Sequence, residues 1–157
     1  MSLDGFDDHP TAARHELPAI VIGLLVFVVS FLPWYGVSFD GGSAEAGVTG
    51  TYNAWHGLAG VGIIVVLLSL VVTAAEPFFG ETVPRIALPL AAAVLSVVGT
   101  ALVAIKSFNL PEIDIPNTTT SLRWGGWALL VVLVLQVMVS VLRVVHANDA
   151  QPHSASG

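Results

Sequence analysis

This chain contains no cysteine, and only 10% of its residues are charged, against roughly 25% in an ordinary soluble domain. The first absence excludes disulfides, thiolate nucleophiles and cysteine-ligated metals. The second leaves little to face water: with 55% hydrophobic residues, a soluble fold of 157 residues could not hide its apolar surface. Five Lys and Arg are set against eleven Asp and Glu, for a formal net charge of −6. No basic cluster exists that could grip a phosphate backbone, so nucleic acid is excluded as a partner. Also missing are a G-x-S-x-G elbow, a phosphate-cradling glycine loop and an H-x-x-x-H or H-E-x-x-H pair. The chain is therefore read as non-enzymatic, with no catalytic residue, metal site or cofactor.

What is abundant is long apolar sequence. Four stretches dominate: Leu17 to Tyr35, Trp55 to Ala75, Ile86 to Ile105 and Leu122 to Val145. At ~1.5 Å of helical rise per residue, each can cross a hydrocarbon layer of ~30 Å. They predict an all-α polytopic membrane protein, an antiparallel bundle of four transmembrane helices over residues 17–146. The polar stretches 1–16 and 147–157 bury too little to offset ordering entropy and read as disordered tails. Asp4, Asp7, Asp8 and Glu16 outweigh Arg14 before the first stretch, the wrong charge for a secretory signal. The A-x-A-like site at Ala44 to Ala46 lies far past the apolar run, so the first span is expected to stay in the mature protein.

Punctuation between the spans is clear. Pro18 is expected in the first turn of helix one, where its missing N–H costs little, and Pro33 marks the exit. The glycine-rich loop 36–53 suits turns or a short hairpin with no core of its own. Helix two is expected to end near Glu76-Pro77, and Pro89 falls near the start of helix three. Loop 107–121, with Pro111, Pro116, Glu112 and Asp114, reads as an extended, water-facing segment.

With four spans, loops one and three share a side. Trp34, Tyr35, Tyr52, Trp55, Trp124 and Trp127 all sit at span ends facing those loops, and are predicted to anchor one membrane interface. Arg14, Arg85 and Arg143 lie on the terminal side, Lys106 and Arg123 on the loop side. By the positive-inside rule this balance predicts a multi-pass plasma-membrane protein with both termini cytoplasmic.

A charge at a span centre costs about 2.5 to 3.5 kcal/mol, and none falls there. Lys106 and Arg143, near span ends, are expected to snorkel to the interface. Gln136 is the one sizeable central polar side chain and reads as interhelical glue. Ser30, Ser69, Thr73 and Ser140 can bond the carbonyl of the preceding turn. Ala92, Ser96, Thr100 and Ala104 repeat every four residues, which predicts a close-packing seam on helix three, with Gly57 and Gly60 giving a thinner version on helix two. The seam fits either the inside of the bundle or a contact between protomers. His56, with Asp40 and Glu45 on its side, is a weak candidate for metal or proton transfer; Asn53 is a weak candidate or a helix cap.

The Phe-Leu-Pro-Trp-Tyr segment (Phe31 to Tyr35), the Asn53-Ala54-Trp55 with Gly57 opening of helix two, and Arg123 with Gly125 opening helix four resemble the small four-span integral membrane proteins common in actinobacteria. The resemblance covers about residues 17 to 145. It implies a bacterial inner membrane and carries no catalytic or binding residue. The functional expectation is a non-enzymatic accessory or assembly protein, whose partners are the lipid bilayer and a membrane protein or a second copy as a homo-oligomer. The alternative is a small oligomeric transporter or pore.

Overall fold

The computed structural model describes residues 10–39, 50–79, 83–84, 86–110 and 118–149. The loop carboxylates Asp40, Glu45, Glu112 and Asp114, the cation Arg85, and the chain ends 1–9 and 150–157 lie outside the described residues. Four helices are present: α1 Pro10–Val29, α2 Gly57–Phe79, α3 Ala87–Phe108 and α4 Trp124–Asp149. α2, α3 and α4 are each long and apolar enough to cross a membrane, whereas the apolar part of α1 is the shorter Leu17–Val29. Each helix packs on its neighbours in sequence, and α4 closes the ring against α1.

The all-α expectation needs correction. Strands β1 Tyr35–Phe39, β2 Gly50–Tyr52 and β3 Thr118–Leu122 form an antiparallel sheet in the order β2-β1-β3. Loop one supplies the hairpin and loop three the third strand, with Tyr35 opposite both Tyr52 and Leu122. The two loops thus share one end of the bundle and are stitched together there.

Span boundaries shift for identifiable reasons. α1 starts at Pro10, within the stretch read as a tail, and holds Pro18 inside the helix rather than in its first turn. It stops at Val29, six residues before the expected Tyr35, because the Phe31 to Trp34 segment with Pro33 turns into β1. α2 continues through Pro77 to Phe79. A proline there removes only the bond to the carbonyl of Thr73, near the helix end. Pro89 does sit in the first turn of α3, and α4 runs on to Asp149.

The core is apolar in the half of the bundle next to the sheet. Val26, Ile63, Val66, Val103, Leu129 and Leu133 are fully buried there. Large apolar side chains such as Val71, Val94, Val131 and Leu142 point outward from three helices, as lipid-facing residues do. α2 and α3 meet glycine on glycine: a Cβ at Gly62 would stand 2.7 Å from the Gly99 carbonyl oxygen, and one at Gly99 2.6 Å from that of Gly62. Bare backbone lets α2 and α3 touch.

The packing stripe on α3 is Ala92, Ser96, Gly99, Val103 and Ser107, all buried. The predicted seam shares only its first two members, Ala92 and Ser96. A step of four residues overshoots a 3.6-residue turn by ~40°, so Thr100 and Ala104 drift to half-buried positions. On α2, Gly57 has open space around it and instead supplies the positive φ of 60° that starts the helix. Gly60 admits the Trp55 carbonyl, a loop rather than a helix.

Candidate functional site

Two polar constellations stand out, one at each end of the bundle. At the capped end, the pair Gly125-Gly126 opens α4 and makes room for the chain leaving α1. A Cβ at Gly125 would lie 2.5 Å from the Pro33 carbonyl oxygen, and one at Gly126 2.7 Å from Cδ1 of Trp34. Trp34 is consequently only 1% exposed and Tyr35 9%, inside the protein core. As interface anchors these two are corrected, since β1 carries them beneath the cap. Trp124, Trp127 and Tyr52 are exposed, and Trp55 is half-buried.

Trp55 is fixed by a short relay: its Nε1 donates to Ser30 Oγ at 3.0 Å, and Ser30 donates to the Phe27 carbonyl at 2.6 Å. Its ring meets Phe27 and Phe31. Asn53 accepts the Trp55 N–H through Oδ1 at 3.3 Å, which pins a turn ahead of α2 rather than capping the helix, since α2 starts at Gly57. Tyr35 and Tyr52 stack with centroids 4.8 Å apart, and His56, exposed, meets Tyr52 edge-on. Burial, and then the neighbouring Tyr52, push the Tyr35 phenol above its ordinary value, so it stays protonated.

Arg123 belongs to the same cluster. Its backbone extends the β1–β3 ladder by donating to the Trp34 carbonyl at 2.8 Å, and its side chain lies over Gly36.

From the middle of the bundle toward its opposite end the interior is hydrophilic. Ser96 donates to Ser69 at 2.9 Å, Ser69 donates to the Val66 carbonyl at 2.6 Å, and Ser96 meets Ser140 at 3.2 Å. Each hydroxyl has one proton, so Ser140 must be the donor in that last contact. Below this chain, Arg143 Nη1 donates to Thr73 Oγ1 at 2.9 Å, and Nη2 pairs with Glu76. Arg143 is 10% and Glu76 16% exposed, so the arginine turns into the bundle instead of snorkelling. Glu76, expected in a loop, is in α2 and supplies the carboxylate that makes this possible. Gln136 is buried among these helices, but its Oε1, like Thr100 Oγ1, meets no donor among the described residues.

Sequence reading missed Glu76, Gly99 and Arg123. The signal for the first existed in the spacing from Thr73 to Glu76, which puts both on one helix face toward any neighbour. Gly99 lies three residues past Ser96, the helical rather than the fourfold repeat. Among the described residues no three of His, Asp and Glu come together as a metal site. No protein family, no curated protein and no solved structure matches this chain.

Proposed function

We propose that this protein is a four-span plasma-membrane protein with cytoplasmic termini, a non-enzymatic accessory that docks a membrane partner or a second copy through its capped outer end. The observation that carries this reading is the joining of loops one and three into a single sheet, which gives the bundle one structured face outside the helices. That face carries a rim of exposed side chains, Tyr52, His56, Trp124 and Trp127, of the kinds enriched in interfaces. Ala92 and Ser96 support the same choice from the other side. They are consumed inside the bundle, so the seam on α3 has little left to offer a neighbour.

α1 counts as the fourth span in this reading although its apolar part is short. Leu17–Val29 reaches only ~20 Å by helical rise, and the exposed Phe31 beyond it extends the apolar surface toward the cap.

The oligomeric pore has one observation in its favour, the buried hydroxyls with the orphaned oxygens of Gln136 and Thr100. Against it stands the apolar plug from Ile63 to Leu133, which separates those groups from the cap. Purification of the full chain in mild detergent is expected to recover a stoichiometric partner or a homo-oligomer, and Trp124→Ala with Trp127→Ala to release it. Solute- or ion-selective leakage from reconstituted liposomes would overturn the accessory reading in favour of the pore, and recovery of a lone monomer would count against both.

A further inference from the structure

Arg123 stands where helix electrostatics oppose it. It immediately precedes α4, and the first turn of a helix presents unpaired N–H groups and the positive end of the macrodipole. A cation at that position is disfavoured unless an anion accompanies it. Among the described residues the only ion pair is Arg143 with Glu76, at the far end of the bundle, so no described carboxylate accompanies Arg123.

The position is nevertheless built for the side chain. A Cβ on Gly36 would lie 2.3 Å from Arg123 Nε and 2.9 Å from Nη2, so only glycine on β1 leaves room for the guanidinium. Nε is enclosed in this cradle without an acceptor. Directly across the ladder, Trp34 is 99% buried by its 1% exposure, and its Nε1 also has no acceptor. The same edge of that indole faces α4, with Cδ1 2.7 Å from the Cβ position of Gly126 in the first turn. Two orphaned donors and a helix N-terminus therefore fall on adjoining residues of β1 and α4, with no acceptor for them among the described residues.

Their common complement is an anion, and depth indicates which. Trp124 and Trp127, 63% and 56% exposed, flank Arg123 on the outside of α4. Exposed tryptophan at a span end marks the headgroup level of a bilayer, where lipid phosphates are concentrated. Arginine is the residue suited to phosphate, because its planar fork can give two parallel hydrogen bonds. We propose that the phosphate of a lipid headgroup docks on Arg123 in the Gly36 cradle at the start of α4. This site holds whether or not the capped end also recruits a protein.

The test uses the full chain in mild detergent, with bound lipid read by native mass spectrometry. Phosphatidylglycerol, a phosphate-free galactolipid and inorganic phosphate are supplied in separate arms. Phosphatidylglycerol is expected to be retained over the galactolipid, with retention falling roughly tenfold in Arg123→Gln, the scale of one lost charge-assisted contact, and partly restored in Arg123→Lys. Gly36→Ala, which expels the guanidinium from its cradle, is expected to match the loss with helicity unchanged by circular dichroism. Should that variant lose its helicity, the Gln and Lys pair still decides. Equal retention by the wild type and Arg123→Gln, the outcome if a loop carboxylate already neutralises the arginine, overturns the proposal. So does capture of inorganic phosphate without the lipid.

Discussion

At the capped end the helices are joined by backbone: strand ladders, glycine-admitted carbonyls and aromatic rings stacked edge to face. From mid-bundle to the tail-side end the interhelical hydrogen bonds among the described residues are between side chains, hydroxyl to hydroxyl and arginine to carboxylate. The difference follows from what each end has available. Outside the helices, unpaired peptide groups can find one another as a sheet, whereas within the span every helical peptide group is already bonded internally and only side chains can reach across. Backbone joining tolerates many side chains but few Cβ atoms. Side-chain joining tolerates the reverse.

Three substitutions sharpen that contrast. The largest effect is expected from Arg143→Ala, which takes the guanidinium away from both Glu76 and Thr73 and should cost up to about 3 to 5 kcal/mol. Reversible unfolding in mixed detergent micelles reads the loss. The double variant Arg143→Met with Glu76→Leu is expected to recover most of it, since both buried charges are then replaced by apolar side chains. If the double is as unstable as the single, the ion pair is not what holds this end.

At the capped end the corresponding change adds a methyl rather than removing a charge. Gly126→Ala places a Cβ 2.7 Å from the Trp34 carbonyl oxygen and from its ring. Overpacking of this kind costs about 1 to 3 kcal/mol. It should also blue-shift or broaden the emission of Trp34 relative to a Trp34→Phe control. Normal stability in Gly126→Ala would show that the cap yields as freely as a side-chain contact, erasing the distinction between the ends.

The smallest effect belongs to Ser96→Ala. Ser69 keeps its bond to the Val66 carbonyl but loses the donor Ser96 supplied, and Ser140 loses an acceptor. Interhelical hydrogen bonds within membranes average about 0.6 kcal/mol, and with two of them removed a loss of about 1.2 kcal/mol is expected in the same unfolding measurement. A loss above ~3.5 kcal/mol would mean the hydroxyls act as a unit, since two bonds at a maximum of ~1.7 each reach no further.

Much of the helical frame was legible in sequence because span length and apolar content are local properties. α2, α3 and α4 fall close to where the apolar stretches place them. The sheet was not legible as a sheet. Its strands are short, and the pairing of Ser38 with Thr119 joins positions 81 residues apart. Nothing in Thr118 to Leu122 by itself names Tyr35 to Phe39 as its partner.

The candidate sites failed in sequence for related reasons. Arg143 resembled a snorkelling cation because its carboxylate is 67 residues distant and next to a proline that suggested a helix end. Trp34 and Tyr35 resembled interface anchors because a tryptophan at a span end looks alike whether lipid or protein covers it. Only Gly125 and Gly126, placed far along the chain, distinguish the two.

The serine chain has one more consequence. It runs from α4 to α3 to α2 and ends on a helix carbonyl, with each proton already assigned. It therefore lies crosswise to the helices, a tie beam between three posts. A relay along it could carry a proton sideways between helices and no distance through the bilayer, so its polarity serves to fix helix rotation: turning α3 would empty two hydroxyl contacts at once, and turning α2 or α4 one each.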